Sequence, residues 1–209
     1  RYSIVDMRLN GGLGDVTTKN FLLFAPNTEK VTGVHHSNKK DIWVISHGKS
    51  NNRFYAYLVT AGGVSPPVIT NAGSNEQYQS GYLKISPNGK KLISCDFNGF
   101  GLIGRAELFD FNNTTGVVSN PLTIPDNYYG ASFSPNSSKL YMALGGKIDQ
   151  YDVLAGNGAA ILASKVPLYL PAGGNGFYAL QMGTDKKIYC TIGFNSLHVI
   201  NYPNLSGAA

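Results

Sequence analysis

Four histidines, His35, His36, His47 and His198, are the residues of this 209-residue chain best suited by type to bind a metal or move a proton near neutral pH. Their spacing argues against both roles. His35 and His36 are adjacent, and neighbouring side chains of a strand point to opposite faces, so the two cannot chelate one ion as a His-x-His pair could. His47 falls at the far end of the following strand, beyond Trp43. Structural or surface roles are expected for the set, with His35 and His47 retained as candidates for ligand contact. The sequence has no Asp-x-Asp-x-Asp-Gly calcium loop, no Gly-x-Ser-x-Gly elbow and no carboxylate pair at a suggestive spacing. Gly11-Gly12-Leu13-Gly14 has the look of a phosphate-binding loop, but no Gly-Lys-Ser/Thr follows, so a hairpin loop is expected there. No catalytic residue, metal or cofactor is assigned.

Aromatic side chains offer a different chemistry, stacking on sugar rings or on a partner protein. They gather at Tyr128-Tyr129, between Phe97 and Phe100, and at Phe177-Tyr178. Burial between packed elements competes for these rings. The segment Asn98-Gly99-Phe100-Gly101, an aromatic tip on a flexible loop, is the leading contact candidate. Asn98, Phe100, Tyr128 and Tyr129 therefore join His35 and His47 as the expected ligand-binding residues.

The elements that position these residues are short strands. One pattern recurs as Leu83 to Ile93, Ala131 to Tyr141, Leu180 to Tyr189 and, degenerately, Val34 to Trp43: an apolar strand, a polar turn, then a strand opening on an aliphatic residue. Its anchors Ile42, Leu92, Leu140 and Ile188 lie 50, 48 and 48 residues apart. A second landmark ends a strand in a carboxylate or amide, at Asp6, Asp110, Asp152 and Asn201, with Tyr57-Leu58-Val59 as the copy lacking the acid. A carboxylate there can accept backbone N–H bonds and cap the next turn. Further apolar stretches at 21–24, 67–70, 121–124 and 166–170 supply a fourth strand to each unit.

Four strands in each repeat of about 42–52 residues, without helical periodicity, predict an all-β fold, a β-propeller of WD-like blades. A β-sandwich has no reason to repeat two landmarks in phase. The expected boundaries are blade fragments over 1–30, blades over 31–73, 81–127 and 129–171, and a partial blade over 177–204. A single partial propeller is expected, its unpaired outer strands covered by more chain on each side, with ends that meet in a small ring as the alternative.

Composition fits: 25 glycines and only 14% charged residues suit tight turns and short strands. The net charge of +5 is scattered, with Lys39-Lys40, Lys90-Lys91 and Lys186-Lys187 in equivalent hairpin turns, so no nucleic-acid footprint is read. A weak attraction to anionic polysaccharide is compatible with it. No apolar run approaches the ~18 residues of a membrane span. Cys95 and Cys190 fall in the same strand of repeats two apart, too distant for a disulfide, and are expected as buried thiols. The innermost strands read mostly Leu, Ile, Ala, Phe and Ser, with Lys84 and Gln181 as the polar exceptions, which argues against a charged metal site in the central channel.

The segments 1–7, 9–16, 56–60, 107–112 and 204–209 resemble the WD-like propeller at the N-terminal part of large secreted proteins of gliding bacteria. Those proteins carry adhesion-type immunoglobulin-like repeats and a C-terminal gliding-motility or type IX secretion sorting domain. The resemblance implies an exported, cell-surface location, further blades and downstream domains in a longer chain, and no catalytic motif to transfer. The expected function is a non-catalytic binding or scaffold propeller that holds protein or glycan through blade loops, with no nucleic acid as partner. The alternative is an exported propeller hydrolase or lactonase with its site in the central channel.

Overall fold

The computed structural model describes residues 1–99, 104–169, 177–192 and 196–207. An N-terminal hairpin, β1 (Tyr2–Asp6) and β2 (Asp15–Phe21), precedes four antiparallel sheets arranged as the blades of a β-propeller. Blade I holds β3 (Asn27–His35), β4 (Ile42–Gly48), β5 (Arg53–Thr60), the two-residue β6 (Gly63–Val64) and β7 (Val68–Asn71). Blade II holds β8 (Leu83–Ile85), β9 (Lys91–Asp96), β10 (Arg105–Asn112) and β11 (Val117–Pro125). Blade III holds β12 (Gly130–Phe133), β13 (Lys139–Leu144), β14 (Lys147–Asp152) and β15 (Val166–Tyr169); blade IV holds β16 (Phe177–Met182), β17 (Ile188–Ile192) and β18 (Ser196–Ile200). The first strands of successive blades touch one another, β3 with β8, β8 with β12 and β12 with β16, and so line the axis.

Both faces of blades II and III are buried, so strand alternation sends consecutive apolar residues into different interfaces. On β9, Leu92 packs toward blade I with Trp43, Phe54 and Phe109, while Ile93 and Cys95 pack toward blade III with Leu140, Met142 and Tyr151. On β13, Tyr141 and Ala143 face blade IV and meet Leu180, Ile188 and Cys190. Edge-on ring contacts add to the first interface, Phe54 on Phe109 at 5.0 Å and Trp43 on Phe111 at 6.4 Å, and each such pair contributes ~1 kcal/mol beyond its buried area. Both cysteines are fully buried free thiols, and burial pushes each pKa up to about 12.

The recurrent hairpin turn has one geometry in all four blades. Its third residue carries a left-handed φ, at Lys39 (60°), Gly89 (68°), Ser137 (63°) and Lys186 (68°). The N–H of that residue bonds back to the carbonyl three residues earlier, at His36, Ser86, Ser134 and Gly183. The preceding Asn or Asp side chain accepts the N–H groups that follow, as Asn38 does from Lys40 and Asp41, and Asn136 from Ser138.

Register corrects several sequence expectations. Val59 pairs with Ile42 as Phe109 does with Leu92, which puts the acid position of blade I at Thr60, one residue beyond Val59. The apolar stretch at 21–24 lies mostly beyond β2, and Phe24 stacks at 3.9 Å on Tyr55 of blade I instead. A short helix, α1 (Gly158–Ala163), interrupts the all-strand pattern. Asn157 caps it by accepting from the Ala160 N–H at 3.0 Å, and Ile161 anchors it in the core between blades II and III.

Candidate ligand-binding site

The second landmark caps a turn at two of its positions. Asp6 accepts the Arg8 N–H and Asp152 the Leu154 N–H, the expected turn caps. At Asp110 the cap passes to Asn112, which accepts from Thr114 and Thr115. Asp110 instead takes Lys91 Nζ at 2.6 Å and Asn120 at 2.8 Å, and Asp152 takes Lys139 Nζ at 2.8 Å from the register-equivalent position. Burial opposes the charge on Asp110, but these two donors outweigh it and hold its pKa below the usual carboxylate range. Asn201, exposed after β18, is the neutral counterpart.

Beneath the axis between blades I and II lies a buried polar cluster. Glu76, 4% exposed, accepts Lys30 Nζ at 2.6 Å and the Ser94 hydroxyl, and His47 Nδ1 stands 3.6 Å from the same carboxylate. His47 is 1% exposed, faces the Gly48 carbonyl and packs edge-on against Phe54. Burial pushes its pKa down, against the pull of Glu76. Two further buried carboxylates bind the chain that leads into blade II: Asp96 accepts the Gln77 and Tyr78 N–H groups, and Glu107 accepts the Ser74 N–H and hydroxyl. Asp149, at the position of Glu107 one blade on, accepts Tyr128 OH, Lys147 and Lys165. Glu76, Asp96 and Glu107 are occupied by donors of their own chain, and Asp149, fully buried, takes its three donors on Oδ2 while its Oδ1 has no partner among the described residues. Among the described residues, no three His, Cys, Asp or Glu side chains converge as metal ligands.

The expected ligand contacts separate accordingly. Tyr128 is fully buried, its hydroxyl among Asp126, Asp149 and Tyr151, and desolvation drives its pKa far up. It and His47 belong to the interior. Alternation leaves His35 exposed on the hairpin, whereas His36 bonds to the Thr114 carbonyl and leans on Trp43, tying blade I to blade II. Asn98 is half-buried and its N–H bonds to Asn127. Phe100 lies outside the described residues.

Among the described aromatic candidates, Tyr129 reaches an open surface, a cleft of about 400 Å³ at the axis bounded by Lys30, Gly81, Tyr82, Lys84 and Tyr129, with exposed Glu29 along its wall. Its ring lies 5.6 Å from Tyr82, 5.2 Å from Phe97 and 6.1 Å from Tyr178, so three successive inner-strand segments each bring a tyrosine. Gly130 permits this approach, since a Cβ there would fall 1.8 Å from the Tyr178 carbonyl. Lys84 projects its ammonium 5.0 Å over the Tyr82 ring and donates to Gln181 Oε1 of blade IV at 2.8 Å. Sequence reading marked Lys84 and Gln181 as polar exceptions, but their meeting across blade III has no local signal.

No family model and no curated protein matches the chain. Solved structures do. A functionally unknown protein from Desulfotomaculum acetoxidans DSM 771 is similar over 97% of this chain and 59% of its own, with 12% identity and a TM-score of 0.60. The RRP9 WD40 repeats are similar over 87% of this chain and 51% of theirs, with 14% identity and a TM-score of 0.54. A putative 6-phosphogluconolactonase from Bacteroides fragilis NCTC 9343 is similar over 70% of this chain and 41% of its own, with 17% identity and a TM-score of 0.50. The likeness is one of fold. The chain spans about half the length of the solved structures it matches.

Proposed function

We propose that this chain is a non-catalytic binding propeller of an exported, cell-surface protein, and that it holds a glycan or protein at the axial end of its blades. The observation that carries this reading is the make-up of the axial cleft: two tyrosines and two lysines line it, while the nearby Glu76, Asp96 and Glu107 are consumed internally. Aromatic faces with a few convergent polar groups suit recognition, and general acid–base chemistry needs a free carboxylate or histidine that this cleft places only at exposed Glu29. The cell-surface location rests on the resemblance of 1–16 and 107–112 to secreted propellers of gliding bacteria, in which further blades and adhesion domains would complete the protein.

Lactone hydrolysis is the competing activity, suggested by the lactonase among the similar folds. The full chain, screened against a glycan array and assayed in parallel on lactone and ester substrates, is expected to bind without turnover. Turnover that Tyr129→Ala or Lys84→Gln abolishes would overturn the reading. Protease treatment of intact source cells is expected to digest the protein from outside; full protection would exclude a surface location.

A further inference from the structure

Lys84 is a half-buried cation with no ion-pair partner among the described residues, unlike Lys30, Lys91, Lys139, Lys147 and Lys165, each of which meets a carboxylate. Its one hydrogen-bond acceptor is Gln181, so two of its three N–H donors remain free beside the cleft. Its partial desolvation is offset by that neutral amide and the Tyr82 ring face alone, and burial pushes its pKa down. The cost is recovered when an anion enters. Beside it, Tyr82 and Tyr129 offer ring surfaces at a mutual 5.6 Å, and neither hydroxyl bonds to a protein group among the described residues. Two ring surfaces tilted 51° to each other, two phenol hydroxyls and one anion-seeking ammonium match a pyranose that carries a carboxylate: the sugar's C–H face stacks on a tyrosine, its hydroxyls bond to the phenols and its acid group reaches Lys84.

Resting on the binding reading above, the geometry points to the axial cleft as a uronate site, with Lys84 as the carboxylate receptor and Tyr82 and Tyr129 as the stacking platform. Exposed Glu29 also lines the cleft, and its carboxylate disfavours a second acid group beside it.

The test is calorimetric titration of the full chain with tetragalacturonate and with its fully methyl-esterified, uncharged counterpart. The acid is expected to bind about tenfold tighter than the ester, the discrimination of one charge-assisted hydrogen bond. Lys84→Gln should abolish that difference while ester binding persists, Lys84→Arg should retain it, and Tyr129→Ala should weaken both ligands. Equal binding of acid and ester by the unaltered chain, or an acid preference that survives Lys84→Gln, overturns the site yet leaves a glycan-binding propeller standing. Absence of binding to either ligand overturns it as well. Because Lys84 also braces blade IV, the melting temperature of each variant is recorded. A Lys84→Gln protein that melts earlier but keeps the acid preference assigns the lysine a purely structural role and likewise overturns the inference.

Discussion

His47 shows how a chemically capable residue is spent on the fold. Its ring is 1% exposed between Phe54 and Glu76, and burial favours the neutral form strongly enough to depress its pKa. A depressed histidine pKa means that the unfolded chain binds the proton more readily, so stability is full above the unfolded value of ~6.5 and is lost as pH falls below it. The melting temperature is expected to drop between about pH 7.5 and 5.5, and His47→Gln should remove most of that slope. A slope unchanged in the variant would place the titrating group elsewhere. The depressed carboxylates Asp110 and Asp152 act lower, stabilising above the usual carboxylate range and losing that contribution only in stronger acid. Nothing local in Ser46-His47-Gly48 marks this histidine as interior. The partners that bury it, Lys30 and Glu76, come from far along the chain, which is why sequence reading kept it as a contact candidate.

At the scale of the elements, the hairpin turns were the most legible feature, because their chemistry is local. Asn88-Gly89 states the left-handed position outright, and register shows the same position filled by Lys39, Ser137 and Lys186, none of which sequence would place there by propensity. Those substitutions give direct tests. Lys186→Gly relieves an exposed left-handed lysine and is expected to stabilise by about 0.5–1 kcal/mol, the gain being limited by glycine's greater freedom in the unfolded chain. Ser137→Gly should not, because the Ser137 hydroxyl accepts the Asn88 N–H at 3.0 Å in a site only 2% exposed. Gly89→Ala combines a positive φ with a Cβ placed 2.5 Å from Asn113, and a loss of about 1–3 kcal/mol in chemical denaturation is expected. The helix at 158–163 was the least legible element. Six residues are too few to show a helical period.

For the whole molecule, stability is carried between neighbours. Blades II and III are flanked on both faces, whereas the N-terminal hairpin leaves Val5, Met7, Val16 and Phe21 exposed, and β18 leaves Leu197 exposed. Hydrogen exchange should therefore be slowest for the amides of β9 and β13 and fastest in β1, β2 and β18. Uniform protection across all blades would mean that the array opens only as one unit. Packing of this kind sets the angle between one blade and the next and nothing more, so small errors accumulate along the arc. The Lys84–Gln181 bond differs because it passes over blade III and joins blades II and IV directly. It acts as the third side of a triangle whose other two sides are the interfaces between blades II and III and between blades III and IV. An anion that drew Lys84 away from Gln181 would open that triangle, and occupancy at the axis would then be felt at the rim as a change in the splay of the blades.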